Sequence, residues 1–139
     1  MKNNTKTAMA LAFCAALFAC NKDQSCINKM EGNWVNLDTE MWINDVAVAD
    51  SIANNGTISI YNFSPYKVKD ATQGQLILTT IPVSGTATVD TFDYSIHEHC
   101  TKFTWGSTTA DILSIDAQTL TFEWLQDSLK TRVTLIVEV

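Results

Sequence analysis

The chain has 139 residues, with 9 Lys and Arg against 15 Asp and Glu and a formal net charge of −6. That length supports one domain with a single core. The acidic balance argues against nucleic acid, whose phosphates require clustered Lys and Arg, and no acidic run is long enough to act as a disordered tail.

The first element is the N-terminal stretch. Lys2 and Lys6 give a positive start, Ala8 to Ala19 carries no charge, and Cys20 is followed by polar Asn21-Lys22-Asp23-Gln24-Ser25. A positive start, a short apolar run and a small residue before the cut make a secretory signal, and the run is shorter than the roughly 20 apolar residues that span a bilayer. Leu17-Phe18-Ala19-Cys20 resembles the lipobox of bacterial lipoproteins, with Phe18 bulkier than the usual occupant. The resemblance implies cleavage before Cys20, lipidation of Cys20 and stable membrane attachment by more than one acyl chain, since one chain is a marginal anchor. Lys22-Asp23-Gln24 loosely resembles the charged tags of some Bacteroidetes-type surface lipoproteins. The expectations are a signal peptide over 1–19, a lipidated tether over 20–26 and a domain over 27–139, on the outer membrane of a bacterial cell envelope. The plainer alternative is an ordinary signal peptide cut near Ala19, with Cys20 a simple thiol.

Cys14 falls in the signal and Cys20 at the lipid site, which leaves Cys26 and Cys100. In an exported chain such a pair reads as a disulfide. It would close a loop of about 75 residues and contribute on the order of 4 kcal/mol.

The rest of the chain is short runs rich in Thr, Val, Ile and aromatics between turn residues, the pattern of an antiparallel all-β domain. Eight strands are predicted, over about 33–38, 57–63, 75–81, 86–96, 102–105, 111–115, 118–125 and 130–138. The clearest puts Leu120, Phe122 and Trp124 on one face, and the last puts Val133, Leu135 and Val137 on one face. Between Val89 and Phe92 the alternation slips, which predicts a bulge. The stretch Glu40–Asn55 stays ambiguous: Val46–Ala53 reads either as a short helix or as a hairpin arm after a turn at Asn44-Asp45. An eight-stranded up-and-down barrel removes exposed strand edges and fits these counts best; a β-sandwich is the alternative.

Gly32-Asn33-Trp34 resembles the Gly-x-Trp signature that opens the first strand of lipocalins and of shorter lipocalin-like bacterial lipoproteins. The likeness covers roughly residues 27–139 and includes Asp111–Phe122, similar to the paired late strands of those domains. It implies a calycin-like barrel whose base is formed by Gly32, which lets the chain turn tightly into the first strand, and by Trp34, which plugs the core. The family often lays an Arg or Lys from the last strand across that Trp. Arg132 is the sole arginine and lies in the last strand, yet alternation turns it away from Val133, Leu135 and Val137. A contact with Trp34 and a solvated edge charge both remain open.

His97-Glu98-His99-Cys100 is the one cluster of metal-type residues. On a strand His97 and His99 share a face and would need a third ligand to hold zinc or copper; Asp93 is on that face but too distant for one compact site. A surface His pair beside the disulfide is the simpler reading, and no metal or other cofactor is expected. No nucleophile elbow, pairable carboxylates or phosphate-cradling glycine loop is present, so the chain reads as non-catalytic.

The aromatics carry a binding hypothesis. Inward rings either fill a small barrel or line a cavity. Alternation selects Phe92, Tyr94, Leu120, Phe122 and Trp124 as the cavity wall. Trp42, after the first strand, is expected as a lid over the mouth or as an exposed contact. The leading expectation is a membrane-anchored barrel that binds a small apolar or amphipathic ligand. The alternative is a filled barrel serving as an interaction module or inhibitor in an envelope assembly, with an outer patch near Trp42, the loops around Pro65 and the Ser107–Ala110 turn. A metal-binding lipoprotein using His97 and His99 is the third reading.

Overall fold

The computed structural model describes residues 22–48 and 56–138. A helix, α1, occupies 22–30. Nine strands follow: β1 Gly32–Ile43, β2 Val46–Ala47, β3 Ile58–Pro65, β4 Gln73–Ile81, β5 Thr88–His97, β6 Lys102–Trp105, β7 Thr108–Ile115, β8 Thr119–Gln126 and β9 Leu129–Val137. They pair antiparallel in the order β2-β1-β3-β4-β5-β6-β7-β8-β9. A further antiparallel seam from Trp34↔Val137 to Ile43↔Leu129 joins β1 to β9. The eight strands other than β2 therefore form a closed barrel, and β2 is a short extra arm. That seam excludes the sandwich alternative.

The first strand is longer than predicted and runs through the start of the ambiguous stretch. Asn44 and Asp45 follow it with φ of 49° and 64°. Positive φ at both positions is what a two-residue hairpin turn of type I′ requires, so the hairpin alternative holds for Val46 and Ala47. Residues 49–55 lie outside the described residues.

The predicted bulge near Val89 is absent. β5 pairs with β4 without a break from Gln73↔Ser95 to Thr80↔Thr88, and Val89 points outward, 63% exposed. The register breaks instead in β7, between Ile112 and Ser114, and in β1, between Asn36 and Asp38. The extra residue in β1 is Leu37, 61% exposed. An extra residue reverses which alternate positions face the core. Trp34 and Asn36 face inward before it, and Thr39 and Met41 face inward after it. The Asn36 Nδ2 donates to Thr39 Oγ1 at 2.7 Å across the bulge.

Helix α1 plugs one end of the barrel, its base. Cys26, Ile27 and Met30 lie on one helical face and are buried, whereas Lys22, Ser25, Asn28 and Lys29 are exposed. Residues 22–26, expected as a tether, are therefore part of the folded domain: an amphipathic turn with a buried Cys cannot remain a solvated linker. Gly32 links helix to strand at φ 121°, a conformation closed to residues with a Cβ. Trp34 is 1% exposed and its Nε1 donates to the Met30 carbonyl at 2.8 Å.

The expected disulfide joins Cys26 of α1 to Cys100 in the β5–β6 turn, with Cα atoms 5.7 Å apart. Glu98, His99 and Cys100 all have left-handed φ, of 54°, 58° and 65°. Each such residue costs about 1–2 kcal/mol without a compensating contact. Here the Cys100 N–H donates to Asp23 Oδ1 at 2.6 Å, and the Thr101 N–H and hydroxyl donate to the Glu98 carbonyl at 3.2 and 2.7 Å.

Candidate binding site in the upper barrel

The strand pairings stack the inward side chains in tiers, and the tiers differ in burial. Next to α1, Trp34, Phe63, Leu76, Phe103, Leu120, Phe122 and Leu135 are at most 1% exposed. Phe103 meets Phe122 edge-on at 4.9 Å and Phe63 edge-on at 6.3 Å, geometries aromatic pairs favour. This tier is a packed floor.

Above it the burial falls. Trp124 pairs with Thr131 and Thr131 with Met41, and Trp105 stands above Phe103 on β6. By register Trp105, Trp124 and Met41 face inward, yet all three retain solvent exposure. The Trp105 and Trp124 rings meet edge-on at 5.4 Å. At the rim, a recess of about 150 Å³ is lined by Ser107, Thr108, Thr109, Trp124, Leu125 and Gln126, so Trp124 is reached from outside. The adjoining wall is polar. It comprises Thr131 from β9, which is 6% exposed and pairs with Trp124, and below it Thr39 and Asn36 from β1, which pair with Val133 and Leu135. Asn36 Oδ1 is buried and accepts no hydrogen bond.

The five residues selected as a cavity wall divide between these tiers. Leu120 and Phe122 are fully buried in the floor, and Tyr94 is 2% exposed, near the base where β4 places Gly74 opposite it. Phe92 and Trp124 are partly buried and belong to the upper wall. Alternation specifies the face of a side chain but not its height. Trp105 was the legible omission: it stands two positions from Phe103 and so shares its face. Asn36 was legible as a polar residue in phase with Trp34, whereas the inward turn of Thr39 and Met41 was hidden by the bulge.

Trp42 is not a lid. It lies in β1 opposite Lys130, on the outer wall. Lys130 Nζ is 4.7 Å and Arg132 Cζ 5.0 Å from its ring centroid. Arg132 accordingly contacts Trp42 rather than Trp34, because β9 alternation turns it outward while Trp34 points into the base. Its Nε and Nη2 both reach Glu123 Oε2 at 3.0 Å, and its Nη1 lies 3.7 Å from Glu40.

His97 ends β5 with Nε2 2.9 Å from Thr104 Oγ1, but His99 sits in the left-handed turn. The strand geometry that would have aligned the two histidines ends between them. Among the described residues no three His, Cys, Asp or Glu side chains group as metal ligands. The proposed outer patch is also dispersed: Trp42 and the Ser107–Ala110 segment lie near the rim on different sides of the barrel, and buried Pro65 lies near the base.

Burial pushes the Tyr61 phenol up to about 12, and burial followed by the nearby Glu31 charge raises Tyr94 further. Both phenols are neutral at ordinary pH, so the aromatic interior carries dipoles rather than tyrosinate charge.

Among solved structures, the chain is similar to the siderocalin Ex-FABP, described as functioning through dual ligand specificities. The TM-score is 0.58 at 9% identity, covering 79% of this chain and 74% of that one. No protein-family model and no curated protein matches the sequence. The likeness shows the fold: a closed antiparallel barrel of lipocalin type.

Proposed function

We propose that this chain is a lipid-anchored, lipocalin-like protein that binds a small apolar or amphipathic molecule in its upper barrel, without catalysis. The observation that carries this reading is the change in burial along the barrel axis. Trp105, Trp124 and Met41 are turned inward by their register, yet remain partly exposed above a floor that excludes water. Apolar surface held open inside a rigid scaffold is what a preformed pocket supplies. The lipobox-like Leu17–Cys20 segment supports attachment through acylated Cys20, which lies outside the described residues. The filled-barrel reading needs the upper tier to be as closed as the floor, and the partial exposure of those three side chains counts against it.

The test is native mass spectrometry of the full processed protein, before and after extraction with organic solvent. A bound small molecule, lost on extraction and restored with quenching of Trp fluorescence, is the expected result. A bare mass that stays bare against a panel of lipids and hydrophobes would overturn the reading.

A further inference from the structure

The interior is unusual in its charge. No Lys or Arg among the described residues projects into the barrel. Lys102 is turned outward to Asp111 at 2.6 Å, Lys130 and Arg132 lie on the outer wall over Trp42, and the others are on α1 or in the β3–β4 connection. Residues 49–55 contain no Lys or Arg. Among the described residues the one acid brought to the inner face is Asp90, paired with Leu78 above Phe92. An anion entering this interior would lose its hydration without gaining a counter-charge, and would do so inside a protein of net charge −6.

A second observation concerns polarity. Asn36 Oδ1 is a buried acceptor without a donor, while the amide nitrogen of the same side chain donates to Thr39 Oγ1. A buried acceptor left unpaired is costly, so a ligand that brings a donor gains more than a generic apolar contact.

Resting on the binding reading above, we propose that the upper barrel selects uncharged ligands with an aromatic or otherwise flat apolar body and one hydrogen-bond donor, and rejects anionic ligands of the same shape. The flat body lies against Trp105 and Trp124. The donor, a hydroxyl or amine N–H, meets Asn36 Oδ1.

Two fluorescent probes test this on the full processed protein. N-phenyl-1-naphthylamine is neutral and carries one N–H; 5-anilinonaphthalene-1-sulfonate has the same body and a free N–H plus a sulfonate on the far side of the ring system. The neutral probe should bind at least about tenfold more tightly, the order expected for desolvating an unpaired charge. Equal or tighter binding of the sulfonate overturns charge selection while leaving the upper barrel a binding site. Failure of both probes, with Trp fluorescence unchanged, overturns the binding reading and this inference together. The N-methylated neutral probe, which lacks the donor, isolates Asn36: it should bind the native protein about fivefold more weakly than its parent. In Asn36→Val that difference should vanish, whereas Thr39→Val, which frees the amide but keeps Oδ1, should retain it. Equal affinity of the methylated and parent probes for the native protein overturns the assignment of Asn36, whether or not Asn36→Val folds.

Discussion

The guanidinium of Arg132 lies across the ring of Trp42, 5.0 Å from its centroid, on the outside of the barrel. The contact straddles the β1–β9 seam that closes the sheet, since Glu40 pairs with Arg132 and Trp42 with Lys130. Arg132 also binds Glu123 of β8, so one side chain ties three strands at the closure point. Replacing it with Gln should cost about 1 kcal/mol, the sum of a partly exposed cation–π contact and a partly screened ion pair. Chemical denaturation checks the loss, and probe binding in the interior should be unchanged.

Removing the disulfide should matter more. Cys26 and Cys100 are 74 residues apart, and opening a loop of that size releases entropy to the unfolded chain worth about 2–4 kcal/mol. The Cys26→Ser, Cys100→Ser double variant should show that loss in denaturant midpoint. Hydrogen exchange should rise first at Cys100 and Thr101, where the left-handed turn loses its tie to α1.

Gly74 is a steric requirement. A Cβ there would come within 2.5 Å of the Ser64 carbonyl oxygen, 2.7 Å of Pro65 Cα and 2.7 Å of the Tyr94 ring. Two of these are backbone atoms of the neighbouring strand and cannot rotate away. Gly74→Ala should lower stability by about 1–3 kcal/mol and disturb the near-ultraviolet circular dichroism of the ring packed beside it.

Tyr61 predicts alkaline sensitivity. Its folded pKa is pushed up to about 12 from an ordinary 10.0. For a raised pKa, the stability linked to the proton is fully present below the unfolded value and is lost as pH rises toward the folded one. Stability should therefore hold to about pH 10 and decline above it. Tyr61→Phe should weaken that decline, as read from denaturation midpoints at successive pH values.

The proposed attachment at Cys20 predicts a mature protein that begins at Cys20 and carries acyl mass there. Cys20→Ser should carry no added acyl mass, and partitioning into detergent should then depend only on whether residues 1–19 are retained. Intact-protein mass spectrometry with phase separation checks both.

Strand existence was legible because Leu120, Phe122 and Trp124 alternate cleanly with Thr119, Thr121 and Glu123, and the barrel followed from counting such runs. The extent of β1 was not legible. Its middle, Asp38-Thr39-Glu40, is polar where a half-buried strand should alternate, because the bulge at Leu37 shifts the phase and the wall it faces is itself polar. The same phase shift moved Trp42 from the mouth to the outer surface. The disulfide was legible from compartment and cysteine count. The turn before Cys100 was not, since three consecutive left-handed residues without glycine are held by Asp23 and Cys26, contacts that span most of the chain.

The Cys26–Cys100 bond also fixes how the molecule would bear load. Tension applied between residue 22 and the C-terminus passes along α1 to Cys26, crosses the disulfide to Cys100, and continues through β6 to β9. Residues 27–99 lie on a covalently closed side loop and add nothing to the contour length released, even after the sheet is torn open. Under tension the oxidised protein is mechanically a much shorter chain than its sequence, and reduction would restore the missing extension in a single step.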